Sequence, residues 1–266
     1  MITQLRFGKK PATKDSRDLL FANYRTTTPI LPSHPAQFGH ETLIQAWQML
    51  GNGPDDSVSP GFQGAGDCVW AGGDHETMLW TTEGGNPATF TGANAISDYS
   101  AVTDYNPADP GTDQGTDTRV ALKYRKNTGL IDANGNRHKI GAYLALELGN
   151  MNQLLEALYV CDAVGIGIQF PSSAMAQFNA GQPWDPVPGA TIDGGHYIPL
   201  MAVRNNLVVV TWAQLQQMTV AFYQQYCDEV WGILSQEFLD KGVSPEGFNL
   251  SQVQADLAAL TSLQSS

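Results

Sequence analysis

One cysteine and one histidine have sequence contexts suited to nucleophilic chemistry. Cys68 lies in GFQGAGDCVWAGG, directly after Asp67, whose carboxylate can cap a helix that begins at Cys68. The positive end of a helix lowers the pKa of a thiol in its first turn and favours the thiolate, whereas the neighbouring Asp67 carboxylate opposes it. His196 follows Gly194 and Gly195, which leave open space before the imidazole, and it opens the apolar run HYIPLMAV. A thiolate beside a cationic imidazole is the arrangement that performs acyl transfer.

The remaining cysteines and histidines fit structural roles. Cys161 and Cys227 lie among apolar and aromatic residues, where cysteine acts as a small core side chain, and three cysteines do not suggest a disulfide framework. His75 is seven residues beyond Cys68, which places it about 10 Å along the same helix and out of reach of the thiol proton. Three further histidines lie in polar stretches and are expected at the surface: His34, His40 and His138.

Composition excludes several classes of partner. The 266 residues include 14 Lys and Arg against 26 Asp and Glu, for a net charge of −12, which argues against binding to nucleic acid or anionic membranes. The N-terminus lacks the apolar core of a signal peptide, and no apolar run approaches the roughly 18 residues of a membrane span. We therefore expect a cytoplasmic protein, or one released or packaged with a particle. Neither a zinc motif nor a calcium loop is present, so no metal or cofactor is expected, and no signal bears on the oligomeric state.

Elements that must position these residues are predicted from periodicity and turn signals. Helices are predicted over 40–50, from Cys68 to 80, and from 118 to about 128 with Thr116 or Asp117 as the cap, whereas 84–118 is predicted as loops with one helical turn near ANAISDYS. The stretch GAYLALELGN is predicted as a strand or short helix, NQLLEALYV as a helix, and SSAMAQFNAG as a short helix or turn. Strands are predicted for VGIGIQF, for the hairpin HYIPLMAV and LVVVTW, and for EVWGILSQ; a helix is predicted for AQLQQMTVAFYQQY. Helices first and strands later indicate an α+β fold.

At this point the sequence resembles the papain-like cysteine peptidases, in the manner of a divergent microbial or phage-type member. The resemblance covers about 12–240 and rests on Gln63 ahead of QGAGDCVW, on GGHYIPLMAV, and on VVVTW in the returning strand. The stretch NQLLEALYVCDAVGIGIQF is similar to the segment that leads to the family's histidine, and DSRDLLFANY to an entry segment. It implies a papain-like fold whose N-terminal helical part carries the nucleophile helix and whose C-terminal antiparallel β part carries the histidine.

The resemblance also implies a domain layout. We expect an extended N-terminal strap over 1–30 and a single catalytic domain over 31–266. Within it, a helical subdomain would span about 31–130, a β-rich subdomain about 131–245, and a C-terminal helix about 250–263.

Roles follow from the resemblance residue by residue. Cys68 would be the nucleophile, His196 its base, and the Gln63 amide with the Cys68 N–H the oxyanion hole of a cysteine-type peptidase that hydrolyses peptide or protein substrates. Gln63 is five positions before Cys68, one fewer than usual, and Trp70 is not directly after the cysteine. Where the family has Asn-Ser-Trp, this chain has Val210, Thr211 and Trp212, so the Thr211 hydroxyl would orient the imidazole.

Two alternatives remain open. The same Cys–His pair could serve a cell-wall amidase or transpeptidase, although the acidic charge and the lack of a wall-binding repeat weigh against it. A non-catalytic papain-fold protein with a structural or binding role, for example in a phage particle, is favoured by the missing asparagine and by Asp67.

Overall fold

A computed structural model of the chain describes residues 5–23 and 33–242. The described part is an α+β fold, as the sequence predicted, in which helices pack against a twisted antiparallel sheet. The predicted helix over 250–263 and part of the 1–30 strap lie outside these residues. Within the described ranges, no helix combines the length and the apolar character needed to cross a bilayer.

Three helices form the first half of the fold. They are α1 (Cys68–Glu83), α2 (Gly92–Thr103) and α3 (Thr118–Asn127), and a 3-10 turn at Pro110–Thr112 separates the last two. Every residue of α1 from Cys68 to Thr81 is buried, so this helix runs through the interior although it contains two glycines. Asp117, rather than Thr116, caps α3 by accepting two backbone N–H groups.

The sheet fills the second half of the fold. The strands are β1 (Phe38–Gly39), β2 (Leu130–Ile131), β3 (Arg137–His138), β4 (Ile140–Ala145), β5 (Val164–Pro171), β6 (Ile192–Val203), β7 (Leu207–Thr211), β8 (Gln214–Met218) and β9 (Cys227–Ser235). The order of strands in the sheet is β4-β9-β5-β6-β7-β8, with the short β1 beside β6, and a separate two-stranded ribbon joins β2 to β3. All pairs within the sheet are antiparallel. Four helices lie between or after them: α4 (Met151–Cys161), α5 (Ser172–Asn179), α6 (Val220–Tyr226) and α7 (Gln236–Lys241).

Three predictions of secondary structure were wrong. The stretch predicted as a helix over AQLQQMTVAFYQQY begins as strand β8, because Trp212 and Ala213 adopt left-handed φ values of 45° and 67° and close a tight turn after β7. The predicted helix over 40–50 is only a 3-10 turn at Glu41–Leu43, since Ile44 is already extended. The single helical turn predicted near ANAISDYS is the full-length helix α2, which a capping box between Thr91 and Asn94 initiates.

Residues 5–10 form the first described part of the N-terminal strap, and they run across the junction of helices and sheet. The N–H of Lys9 donates to the Gly195 carbonyl oxygen at 3.0 Å, and the Lys10 N–H donates to Thr116 at 2.9 Å. In return the Thr116 N–H donates to Gly8 at 2.7 Å. The strap is therefore hydrogen-bonded to both halves of the fold.

Two clusters of buried apolar residues meet at this junction. One surrounds α1 and includes Cys68, Trp70 and Tyr197. The other fills the two faces of the sheet and includes Phe170 and Trp212. Side chains that bridge the two clusters are thus contributed by α1 on one side and by β6 and β7 on the other.

Candidate active site

The thiol of Cys68 lies at the N-terminus of α1 and is completely buried. Asp67 is the N-cap residue, as expected from the sequence, but its carboxylate accepts no capping hydrogen bond. Both Asp67 oxygens are buried without a partner among the described residues, and burial together with Asp113 raises the pKa of this carboxyl well above its usual value. This shift favours the protonated form of Asp67, which weakens its expected repulsion of a thiolate.

His196 is held by the hydroxyl that the sequence indicated. Its Nε2 atom lies 2.8 Å from Thr211 Oγ1 on the neighbouring strand β7, and both residues are buried. The indole of Trp212 stacks on the imidazole, with 4.5 Å between ring centroids and 10° between planes. This stacking shields the His196–Thr211 hydrogen bond and leaves the other nitrogen, Nδ1, buried without a hydrogen-bond partner in the described part of the chain.

Strand β6 brings the histidine segment to the thiol. Tyr197, the residue after His196, donates its backbone N–H to Cys68 Sγ at 3.5 Å. Within the described ranges no hydrogen bond joins the sulfur to the imidazole itself, because Nε2 is engaged by Thr211 and Nδ1 has no partner. The structure therefore links Cys68 to the backbone of the residue that follows His196, and it links His196 to Thr211 through their side chains.

The Tyr197 side chain locks this neighbourhood in place. It fits between two glycines: a Cβ at Gly72 would lie 2.5 Å from the Tyr197 ring, and one at Gly165 would overlap its hydroxyl. The hydroxyl donates to Glu76 Oε1 at 2.8 Å, and Arg125 pairs with the other Glu76 oxygen at 2.7 Å. Since the glycines come from α1 and β5, the tyrosine ties the nucleophile helix to the sheet.

The strap covers the thiol. The backbone N–H of Gly8 is a second donor to the Cys68 sulfur, and Phe7 packs edge-on against His196 at 5.8 Å between ring centroids. A Cβ at Gly8 would overlap the carbonyl oxygen of Gly66, so only glycine permits this approach. We call this arrangement, with residues 7–9 over Cys68, the closed form.

Burial in the closed form reverses the charge state expected from the helix end. It raises the pKa of the Cys68 thiol to about 11, against the opposing hydrogen bonds from Tyr197 and Gly8, and it lowers the pKa of His196 to about 3. At pH 7 the pair is a neutral thiol beside a neutral imidazole. The prediction of a thiolate favoured by the helix N-terminus is therefore wrong for the closed form, because desolvation outweighs the helix dipole.

Comparison with known proteins was made by sequence and by structure. No protein-family model matches the chain, and no curated protein matches its sequence significantly. Solved structures do match. Xylellain, a cysteine protease from Xylella fastidiosa, superposes with a TM-score of 0.63 at 14% identity, covering 88% of this chain and 98% of xylellain. The chain has a papain-like fold.

Two further structures share the papain-like fold at similarly low identity. Procathepsin B S9 from Trypanosoma congolense has a TM-score of 0.56 at 8% identity, with 87% of this chain and 86% of that chain covered. The cysteine protease CMS1MS2 from Carica candamarcensis, solved in complex with E-64, has a TM-score of 0.51 at 10% identity, with 76% and 98% covered. The sequence resemblance to papain-like proteins is thus confirmed at the level of the fold.

The Gln63 side chain is not directed toward the thiol. It is exposed, and its amide donates to the Gly61 carbonyl oxygen at 2.8 Å. It lines a cavity of about 710 Å³ between the strap, the 59–64 loop and parts of 105–115. An oxyanion role for Gln63 would require its side chain to rotate away from Gly61.

Several residues that shape the site carried no recognisable sequence signal. Gly8 and Lys9 lie in the polar stretch FGKKP, which resembles an ordinary exposed segment. The Tyr197 anchor adjoins His196, but nothing in the sequence shows that Gly72 and Gly165 make room for it. Among the described residues, no group of three or more histidine, cysteine or acidic side chains is placed to hold a metal ion.

Proposed function

We propose that the chain is a cysteine-type peptidase in which Cys68 is the nucleophile and His196 the general base. The observation that carries this proposal is a chain of contacts at the N-terminus of α1. Thr211 holds His196 Nε2 at 2.8 Å, and the next residue along β6 donates its N–H to the Cys68 sulfur at 3.5 Å. The papain-like fold supports it further, since xylellain and CMS1MS2 are described as cysteine proteases.

The proposed reaction is acyl transfer through the sulfur. His196 Nδ1 takes the thiol proton as the sulfur attacks the scissile carbonyl carbon, and the Thr211 hydroxyl bonds the Nε2–H of the resulting imidazolium. The Cys68 N–H, which lacks an intrahelical acceptor at the first turn, faces the developing oxyanion, with Gln63 as a second donor after rotation. The imidazolium then protonates the leaving amine, and water hydrolyses the thioester to release the acid and restore the thiol.

In this proposal the closed form is latent. Cys68 is fully buried beneath the strap, so a peptide reaches the sulfur only after residues 7–9 have moved. Water entering the vacated cleft would also weaken the desolvation that raises the Cys68 pKa, and the thiolate–imidazolium pair would become accessible.

Replacement of Gly8 by valine in the full chain provides a direct test. Because a Cβ at Gly8 overlaps the Gly66 carbonyl, Gly8→Val should exclude the strap from the cleft. We expect faster alkylation of Cys68 by iodoacetamide, an alkylation midpoint shifted below pH 11, and cleavage of a fluorogenic peptide library. His196→Ala in the same background should slow both reactions sharply, and Cys68→Ala should abolish cleavage. Circular dichroism checks that each variant is folded.

A non-catalytic role is the second candidate, and the closed form itself favours it. A buried neutral thiol and an amide turned toward Gly61 are also compatible with a papain-like fold that serves only as a scaffold. Under this alternative, Gly8→Val exposes the thiol without cleavage of any peptide, and His196→Ala leaves its alkylation rate unchanged. Either result would contradict the peptidase proposal.

A further inference from the structure

A cationic side chain of the strap is fully buried in the cleft beside the thiol. The side chain of Lys9, one residue from the glycine that covers Cys68, has no solvent exposure. Its Nζ lies 3.0 Å from Asp228 Oδ2 and 3.3 Å from Glu229 Oε1, at the start of β9. A lysine is rarely buried to this extent unless its charge is matched.

Two glycines of the sheet provide the space that this side chain occupies. A Cβ at Gly167 on β5 would overlap Lys9 Cε, and one at Gly195 on β6 would overlap the Lys9 backbone. Gly167 on β5 pairs with Tyr197 on β6 and with Glu229 on β9. These three residues form one row across the sheet. The row runs from Tyr197, whose N–H donates to the Cys68 sulfur, to the carboxylate of Glu229. The two glycines therefore leave room for Lys9 between the sheet and the strap, with the carboxylates at the end of its side chain.

Glu229 is oriented by groups other than Lys9. Glu229 Oε1 accepts from the Thr118 hydroxyl at 2.6 Å, and Glu229 Oε2 accepts from the Trp231 indole at 3.0 Å. Asp228 Oδ1 is buried and has no hydrogen-bond partner in the described part of the chain. The Glu229 contacts do not involve the strap, so this part of the acidic end would persist when Lys9 leaves.

We propose that Asp228 and Glu229 form a specificity subsite for a lysine or arginine side chain of the substrate, which Lys9 fills in the closed form. This inference rests on the proposed peptidase function and names its substrate class: peptides with a basic residue near the scissile bond. The Lys9 ammonium contacts Asp228 Oδ2 and Glu229 Oε1. Asp228 Oδ1 has no partner among the described residues and is a further acceptor for a substrate cation. A guanidinium, with its five donors in a planar fork, can reach both Asp228 oxygens, so arginine should be accepted at least as well as lysine.

The test uses the full-length Gly8→Val protein and matched peptides. Lysine, arginine or norleucine is placed in turn at each of the two positions on either side of the scissile bond, and kcat/KM is measured for each peptide. Norleucine has the length of lysine without its charge. At one position we expect kcat/KM for the lysine and arginine peptides to exceed that for the norleucine peptide by about tenfold or more, since a buried carboxylate pair without a cation is costly.

Substitution of the carboxylate identifies the subsite. Asp228→Asn should lower the ratio of kcat/KM for the lysine peptide to that for the norleucine peptide several-fold, because only Glu229 then remains charged, whereas Asp240→Asn should leave the ratio unchanged. Asp240 is exposed on α7, a helix that contacts the C-terminal end of α1 through Lys241 and Gly84, far from Cys68. Peptide cleavage with no basic preference, or a preference that Asp228→Asn leaves undiminished, overturns the subsite alone. If no peptide is cleaved while Cys68 is readily alkylated, the peptidase proposal fails and the subsite falls with it.

Discussion

At the scale of single residues, Thr211 is an unusual partner for the imidazole that we propose as the general base. A hydroxyl can donate or accept, so it fixes the tautomer of His196 less firmly than a carbonyl oxygen, which can only accept. The shielding by Trp212 compensates in part, because a hydrogen bond is stronger where water is excluded. His196 Nδ1 is the ring nitrogen without a hydrogen-bond partner among the described residues.

Removal of the Thr211 hydroxyl should lower catalysis without removing it. In the Gly8→Val background we expect Thr211→Val to reduce kcat for peptide cleavage by about ten- to hundredfold, since hydrogen bonds to charged groups contribute about 1.5–3 kcal/mol. Thr211→Ser, which keeps the hydroxyl, should retain most of the rate. A valine variant as active as the serine variant would remove Thr211 from the mechanism.

Asp74 provides a prediction about stability and pH. It is buried in α1, neither oxygen has a partner among the described residues, and burial together with Asp98 raises its pKa well above 3.8. The folded carboxyl keeps its proton to a higher pH than the unfolded one. The folded state therefore binds more protons between the two pKa values, and the free energy of unfolding falls as pH rises through that interval.

Asparagine at this position removes the dependence. The free energy of unfolding at pH 8 minus that at pH 4 is measured for each protein by urea titration. This difference should be higher in Asp74→Asn than in the unsubstituted chain by about 1 kcal/mol or more. Asp240→Asn, at an exposed position, is the matched control and should leave the difference unchanged. An equal effect of Asp74→Asn at both pH values would contradict the neutral buried carboxyl.

At the scale of elements, the contact between α1 and β6 decides how the site is built. Tyr197 passes between Gly72 and Gly165, so the helix and the sheet approach more closely than side chains of ordinary size would permit. The close approach sets the Tyr197 N–H on the Cys68 sulfur. The helix propensity lost at Gly72, about 1 kcal/mol relative to alanine, is thus offset by packing.

Gly72→Ala should therefore destabilise the protein although alanine is the better helix former. Its Cβ would lie 2.5 Å from the Tyr197 ring, and overpacking of this kind costs about 1–3 kcal/mol. We expect a lower urea midpoint. We also expect His196→Ala to have a smaller effect on the alkylation rate of Cys68, since the Tyr197 backbone would shift. Thr82→Ala, at a partly exposed position of the same helix, is the control. A stabilised Gly72→Ala protein would show that the tyrosine can move aside.

Elements with strong local signals were predictable, and those fixed by distant contacts were not. Asp117 and the apolar spacing predict α3, and the alternating residues of β5 and β6 predict their strands. Strand β8 depends on the left-handed conformations of Trp212 and Ala213, which are not residues typical of such turns, so the sequence did not predict it. Of the candidate site, Cys68, His196 and Thr211 could be proposed from their flanking sequence, whereas Lys9 and its carboxylate partners, about 220 positions away, are brought together only by the fold.

At the scale of the whole molecule, the acidic surplus acts on whatever approaches the cleft. A net charge of −12 attracts cationic peptides and repels anionic ones at distances up to the Debye length, which is about 10 Å at 0.1 M salt. The long-range field and the Asp228–Glu229 pair would then favour the same class of substrate.

Ionic strength separates the long-range contribution from the local one. For a peptide with several lysines outside the subsite, we expect kcat/KM of the Gly8→Val protein to fall several-fold between about 20 mM and 500 mM salt, because exposed charges are screened. For an uncharged peptide kcat/KM should change little. A cationic peptide insensitive to salt would indicate that the global charge plays no part in its capture.

The packing of Tyr197 between Gly72 and Gly165 also restricts which local opening motions the protein can make. Because the phenol joins the two halves beside the sulfur, we expect access to the thiol to come from movement of the strap by itself rather than from a hinge between the halves. Amide hydrogen exchange at Gly8 and Lys9 would then report a cheap, local opening, whereas exchange at Tyr197 would await unfolding of the whole domain.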